Sequence, residues 1–178
     1  MDSKQNALEI VKTLQFHGYK AFFAGGCVRD MIMGRESADY DIATSALPQD
    51  IIGIFEKTIP VGMQYGVVIV VKDVHNFEVA TFRTEGSYRD GRHPDYVAFS
   101  TPEDDVKRRD FTINALYLCL NAEKYGELLD PFGGIGDLQA GILRTPLDPD
   151  ITFSDDPLRM MRAARFAARL DYTIEETT

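Results

Sequence analysis

Lys20-Ala21-Phe22-Phe23-Ala24-Gly25-Gly26-Cys27-Val28-Arg29-Asp30, followed by Asp39-Tyr40-Asp41-Ile42-Ala43, is the stretch on which the fold turns. The apolar run 20–24 reads as a short buried strand, and Cys27 to Met33 reads as a helix. Two glycines at a strand-to-helix junction let backbone N–H groups approach an anion, and the helix N-terminus adds a favourable dipole. Arg29 lies one turn into that helix, within reach of a phosphate. Residues 39–43 alternate like a strand, so Asp39 and Asp41 point to one face, about 7 Å apart along it. Carboxylates at that spacing repel unless a cation lies between them, and Mg²⁺ takes one or two carboxylates together with substrate phosphates. A lone D-x-D is usually a solvated strand edge, and a bare Gly-Gly is usually a turn. On adjacent elements the two describe a nucleotidyl-transfer site.

Outward from this centre the pattern is α+β. Ala7, Ile10, Val11 and Leu14 predict a helix over 3–17, and Pro48 opens a short helix to Phe55. Residues 67–71 and 77–83 predict an antiparallel hairpin. Residues 84–96 are turn-rich; this loop and its flank hold Arg83, Arg89 and Arg92. Thr101-Pro102-Glu103 starts an amphipathic stretch expected to run through Leu120 as a helix, with Ile113, Leu116, Tyr117 and Leu120 as core. Phe132-Gly133-Gly134 reads as a turn, with Asp137 at a helix start. A last helix is expected to be capped by Ser154, with Asp155 and Asp156 at its positive end, and Thr173 to Thr178 reads as a turn toward a further helix. The expectation is a small mixed sheet flanked by helices over 1–145, then a helical element over 146–178 that belongs to a longer protein.

The chain has 178 residues, 44% apolar and 26% charged, an ordinary globular composition. A net charge of −9 argues against the whole chain as a platform for a polyanion, although Lys107-Arg108-Arg109 and the four arginines of 159–169 form local basic patches. No apolar run approaches the ~18 residues of a membrane span. The polar start Met1-Asp2-Ser3-Lys4-Gln5-Asn6 lacks the apolar core of a secretory signal. Cys27 and Cys119 match no metal spacing and read as reduced thiols of a cytoplasmic protein, without zinc or a disulfide. His17, His75 and His93 sit in polar or turn contexts and read as surface residues. Glu78 shares a strand side with Ala80 and Phe82. It is either an edge-strand charge, the default, or a third carboxylate near the metal.

Gly25-Gly26-Cys27-Val28-Arg29-Asp30 with Asp39-Tyr40-Asp41 resembles the first motif of the class II tRNA nucleotidyltransferase and bacterial poly(A) polymerase family, within the polymerase β superfamily. Three further stretches resemble its later motifs in order: Arg108-Arg109-Asp110-Phe111-Thr112-Ile113-Asn114-Ala115, Asp130-Pro131-Phe132-Gly133-Gly134-Ile135-Gly136-Asp137-Leu138, and Asp155-Asp156-Pro157-Leu158-Arg159-Met160-Met161-Arg162-Ala163-Ala164-Arg165-Phe166. The resemblance spans residues 20 to 172. It implies a catalytic head over 1–145 and the start of a helical neck, which recognises the base, over 146–178. It implies that Asp39 and Asp41 are the catalytic, Mg²⁺-holding residues, that Gly26 and Arg29 hold the triphosphate, and that Arg109 contacts the nucleotide. Asp110 would orient the ribose or the neighbouring helix. Asp156 and Arg159 would read the base from one helix face at i and i+3, and Arg162 and Arg165 would continue that face toward phosphate or base. Such readout is chemically sound. A carboxylate accepts from the exocyclic amine of cytosine or adenine, where uracil and guanine carry a carbonyl, and a guanidinium donates to ring nitrogen or oxygen. The family often has Glu where Asp155 stands, which weakens any orienting role there.

The function implied is addition of C and A to the tRNA 3′ end from CTP and ATP with Mg²⁺. Poly(A), CC-only or A-only addition would share these motifs. A head that binds NTP without turnover is the reading from another class. Transfer to a small molecule leaves Asp156-Pro157-Leu158-Arg159 unexplained. The oligomeric state is left open.

Overall fold

The computed structural model describes residues 2–86, 94–121 and 123–178. Arg89, Arg92 and His93, noted above, lie outside the described residues. Helix α1 (Ser3–Phe16) buries Ala7, Ile10, Val11 and Leu14, the four positions its spacing picked out. Burial of Ile10, Val11 and Leu14 stabilises the fold by roughly 1.5–3 kcal/mol each. Next come β1 (Ala21–Ala24), α2 (Gly26–Ile32), β2 (Asp41–Thr44) and α3 (Pro48–Ile54), all close to their expected bounds. Strands β3 (Thr58–Gly62), β4 (Val67–Lys72) and β5 (His75–Thr81) follow, the last two forming the expected antiparallel hairpin.

With β8 (Tyr117–Cys119) and β9 (Leu128–Leu129) these strands form one seven-stranded sheet in the order β3-β4-β5-β2-β1-β8-β9. Every pairing is antiparallel except β2 with β5. Phe23, Ile42, Val68, Val70, Phe77 and Val79 turn one face of the sheet toward α1. The alternate residues, Asp41 and Glu78 among them, therefore face the other way. On that side Ala24, Ala43, Phe82 and Tyr117 pack with Val106 and Ala115.

A two-stranded ribbon, β6 (Arg83–Glu85) with β7 (Val97–Phe99), leads to α4 (Pro102–Asp105). Helix α4 starts as expected, the Thr101 hydroxyl accepting from the Asp104 N–H. The expected helix through Leu120 is corrected. After α4 the chain makes a 3₁₀ turn at Val106–Arg108, goes extended at Arg109 (ψ 158°), turns again at Thr112–Asn114 and enters β8. Ile113, Leu116, Tyr117 and Leu120 are buried as expected. Their spacing serves a turn and a strand, because β8 completes the ladder on the free edge of β1.

The C-terminal third comprises α5 (Gly134–Ala140), β10 (Ile142–Leu143), α6 (Pro149–Asp155), α7 (Leu158–Leu170) and β11 (Thr173–Ile174). Two further expectations are corrected here. Ser154 lies in the last turn of α6, whose cap is Asp148 accepting from Asp150 N–H, with Pro149 at its first position. Residues 173–174 form a strand parallel to β10. Phe111, Ile113, Leu138 and Leu143 form one apolar cluster with Ala163, Phe166 and Leu170, so α7 packs onto the sheet-bearing part through a shared core. Cys27 and Cys119 are free and buried. Among the described residues no helix is long and apolar enough to cross a membrane.

Candidate active site

A cleft of about 530 Å³ opens where the C-terminal end of β1 and the start of β2 meet α7. Gly25 ends β1 with φ +68°, which favours glycine, and its N–H donates to Leu116 O at 2.9 Å. A Cβ on Gly25 would stand 3.4 Å from Arg109 Nη1, so the arginine lies directly against the Gly-Gly turn.

Strand β2 begins at Asp41, and Asp39 and Tyr40 lead into it. Tyr40 is buried against Phe23, ring centroids 5.3 Å apart, while Asp39 is exposed, so the alternation expected across 39–41 holds. Glu78 is not on an edge strand. β5 lies between β4 and β2, and the parallel register of Ile42 with Val79 sets Glu78 beside Asp41. Burial pushes the Asp41 carboxyl above the usual range, Glu78 and Asp39 push it further, and Arg109 pulls the other way. This is the electrostatic signature of a site short of positive charge. Among the described residues no cage of three or more metal-ligating side chains exists. The two carboxylates lining this cleft fit Mg²⁺, which keeps water or phosphate in its remaining positions.

Arg29 is held rather than free. Its side chain is 6% exposed. Nε and Nη2 donate to Asp30 Oδ1 at 2.9 and 2.8 Å, and Nη1 donates to Asn114 Oδ1 at 2.8 Å. Its guanidinium also lies 5.3 Å from the centre of the Phe166 ring, and that of Arg162 lies at the same distance. A guanidinium carries five N–H groups, so donors remain for a ligand.

Asp110 orients the neighbouring helix: it receives Asn114 Nδ2 at 3.1 Å on one oxygen and Arg162 Nε at 2.7 Å on the other. Arg159 Nη1 and Nη2 donate to the carbonyls of Thr152 and Arg108 at 3.1 and 2.8 Å. Asp156 is not on the helix with Arg159, which corrects that expectation. It is extended (φ −142°) at the end of α6, one residue before the Pro157 that precedes α7, and its side chain accepts from the Leu158 N–H at 3.0 Å. Both residues still line the cleft, and so do Gly26, Arg29, Asp39, Asp41, Arg109, Arg162 and Arg165. Asp155 is raised by burial, with Arg159 lowering it and Glu85 raising it.

Sequence reasoning missed Arg169, Phe166 and Asn114 in the cleft wall. Arg169 stands four residues past Arg165, on the same helix face, and could have been found that way. Asn114 stood in the second motif without a role, and its place between Arg29 and Asp110 supplies one. A second cleft of about 430 Å³ adjoins the first through Arg108, Asp156 and Arg159 and contains Glu78.

The Gly25-Gly26 turn, Asp39 and Asp41 all fall within the stretch that matches a known family. The poly A polymerase head domain matches residues 21–144, and the chain belongs to that family. It is 49% identical over 175 residues to the CCA-adding enzyme of Geobacillus sp. (strain WCH70), covering 98% of this chain and 42% of that protein. The CCA-adding enzyme of Lactiplantibacillus plantarum is 46% identical, again over 98% of this chain and 42% of the relative. The crystal structure of the Bacillus stearothermophilus CCA-adding enzyme in complex with CTP superposes with a TM-score of 0.88 at 44% identity, over 100% of this chain and 42% of that one. The Thermotoga maritima CCA-adding enzyme complexed with tRNA gives 0.79 at 29% identity, over 99% and 40%. The chain thus spans about two fifths of the length of these relatives.

Proposed function

We propose that the chain is the catalytic head, with the start of the neck, of a template-independent nucleotidyltransferase that adds C and A to the 3′ end of tRNA from CTP and ATP. The observation that carries this is that one cleft gathers the Gly-Gly turn, Asp39, Asp41 and the arginines of α7. Relatives named as CCA-adding enzymes align along almost the whole chain. In this reading residues 1–145 are the head and 146–178 begin the neck, in a cytoplasmic protein.

Asp39 and Asp41 would hold Mg²⁺, with Glu78 beside them, and the ion supplies charge neutralisation of the triphosphate and a more acidic acceptor hydroxyl. The backbone at Gly26 and the remaining donors of Arg29 hold the triphosphate, and Arg109 closes over it from the Gly25 side. Asp156 accepts from the exocyclic amine of cytosine or adenine. Arg159, pinned by two carbonyls, offers its remaining N–H groups to the base. Because those carbonyls fix its guanidinium, the choice of base rests on a rigid donor pattern instead of a template strand.

The test is incorporation of each labelled NTP, singly and paired, into a tRNA lacking its 3′-CCA, with Mg²⁺. Two C followed by one A and then a stop is the expected result. Long A tails would make it a poly(A) polymerase, C only or A only a split-function enzyme, and NTP binding without transfer an NTP-binding head. Arg159→Ala is expected to lower discrimination of CTP and ATP over UTP and GTP by about tenfold, with a smaller effect on triphosphate affinity. An equal loss of affinity for all four nucleotides would make Arg159 a phosphate-binding or structural residue.

A further inference from the structure

Asp105 stands at the end of α4, behind the wall of the nucleotide cleft, and its side chain is 1% exposed. A buried carboxylate needs several donors to offset its desolvation, and two of the donors here, Arg108 and Arg109, line the cleft. Arg83 N–H donates at 2.9 Å, Arg108 Nε at 3.0 Å and Arg109 Nη2 at 3.3 Å, and the Tyr117 hydroxyl donates to the same oxygen as Arg109. Burial works against the charge, yet Arg108 and Arg109 hold the carboxyl below its usual range.

Arg109 is gripped on one side only. Its Nη2 reaches Asp105 and, at 3.3 Å, the Tyr117 oxygen, and its guanidinium carbon lies 5.5 Å from the centre of the Tyr117 ring. Its Nη1 faces the Gly25 turn. Its Nε is buried with no hydrogen-bond partner among the described residues. A guanidinium fixed from behind through Nη2, 20% exposed in the cleft and turned through Nη1 toward the Gly25-Gly26 turn, keeps donors for a ligand the protein does not itself supply.

We propose that Asp105 is a positioning residue for nucleotide binding: with Tyr117 it fixes the Arg109 guanidinium so that its Nη1 side meets the nucleotide at the Gly25-Gly26 turn. The inference rests on the reading of the cleft as an NTP site and adds the residue that makes one of its arginines effective. An arginine without this anchor samples many rotamers, and binding must then order it.

The test is a double-mutant cycle on the 178-residue chain, reading CTP affinity by calorimetry in Mg²⁺, with circular dichroism to establish folding. Asp105→Asn is expected to weaken CTP binding about tenfold when Arg109 is present, and by less than about twofold in an Arg109→Ala background. An equal loss in both backgrounds would overturn the proposal, since a merely structural role does not depend on Arg109. Undiminished CTP affinity in Asp105→Asn would overturn it too. If Asp105→Asn does not fold, Tyr117→Phe runs the same cycle with all charges intact. A loss of a few-fold that vanishes without Arg109 is expected, and no loss, or the same loss in both backgrounds, overturns the assignment. A wild-type chain that fails to bind CTP would remove the underlying reading and this inference with it. That result differs plainly from a wild type that binds and a cycle that is additive.

Discussion

Replacing Asp39 or Asp41 by asparagine is expected to lower nucleotide transfer by about 10³-fold or more and leave the chain folded, because in the proposed reaction several kcal/mol of transition-state stabilisation would rest on a metal held there. The stability side follows from the charges. Asp41 faces away from the α1 core, and burial, Glu78 and Asp39 all raise its carboxyl above the ordinary range. A carboxyl raised on folding imposes no cost at pH below its unfolded value, and the cost grows as pH rises through the folded value. At neutral pH the cost is therefore in place, and the isosteric amide relieves it. Without divalent metal, Asp41→Asn should melt at or above the wild-type temperature. Added Mg²⁺ should raise the wild-type Tm and leave that of Asp41→Asn unchanged. Wild-type transfer in either variant, or unfolding of both, would remove the metal assignment.

Gly134→Ala is expected to have the largest effect on stability. A Cβ at Gly134 would stand 2.1 Å from the carbonyl oxygen of Thr112 and 2.7 Å from its carbonyl carbon. Neither backbone can yield cheaply. Thr112 N–H donates to Arg144 O at 2.8 Å, and its hydroxyl donates to Asp137 at 2.7 Å. On the other side Asp130 accepts from the N–H groups of Gly134 and Ile135 at 2.6 and 2.9 Å. Forcing these apart should cost roughly 3–5 kcal/mol, a fall of about 10 °C or more in Tm for a chain of this size. Gly133 next door has φ +72° but open space among the described residues. Gly133→Ala therefore isolates the backbone strain, roughly 1–2 kcal/mol. Thermal melts of the two variants would separate the effects, and a Gly134→Ala Tm within about 3 °C of wild type would refute the close approach.

The elements that a local pattern determines were legible in the sequence. The helix over Ser3–Phe16, the strand and helix around Gly25-Gly26 and the β4–β5 hairpin needed only periodicity and turn residues. Tyr117–Cys119 was misread because the spacing of Ile113, Leu116 and Leu120 suits a helix, while the open edge of β1 draws the segment into the sheet. The same holds for Thr173–Ile174, whose strand exists only because β10 lies alongside. The start of α7 was misplaced for a different reason. Ser154 is a good cap by type, but Pro149 behind Asp148 starts an earlier helix, and Pro157 cannot continue it. In the cleft, the residues named from the motifs do come together, whereas Asp105 and Asn114 also depend on partners 12 and 85 residues away in sequence, Tyr117 and Arg29. No local pattern encodes such pairs.

The cluster that joins Phe111, Ile113, Leu138 and Leu143 to Ala163, Phe166 and Leu170 has a thermodynamic consequence for recognition. The helix carrying Arg159 and Arg162 is clamped by this cluster to the 111–113 segment that follows Arg109, the Arg29 guanidinium lies over its Phe166 ring, and β11 is zipped onto β10 beyond it. The two walls of the cleft are thus ordered before any nucleotide arrives. An incoming base meets a preformed mould and bears little conformational entropy cost for assembling it. The free energy of each base contact is then available to tell one nucleotide from another, which suits the template-independent selection proposed above.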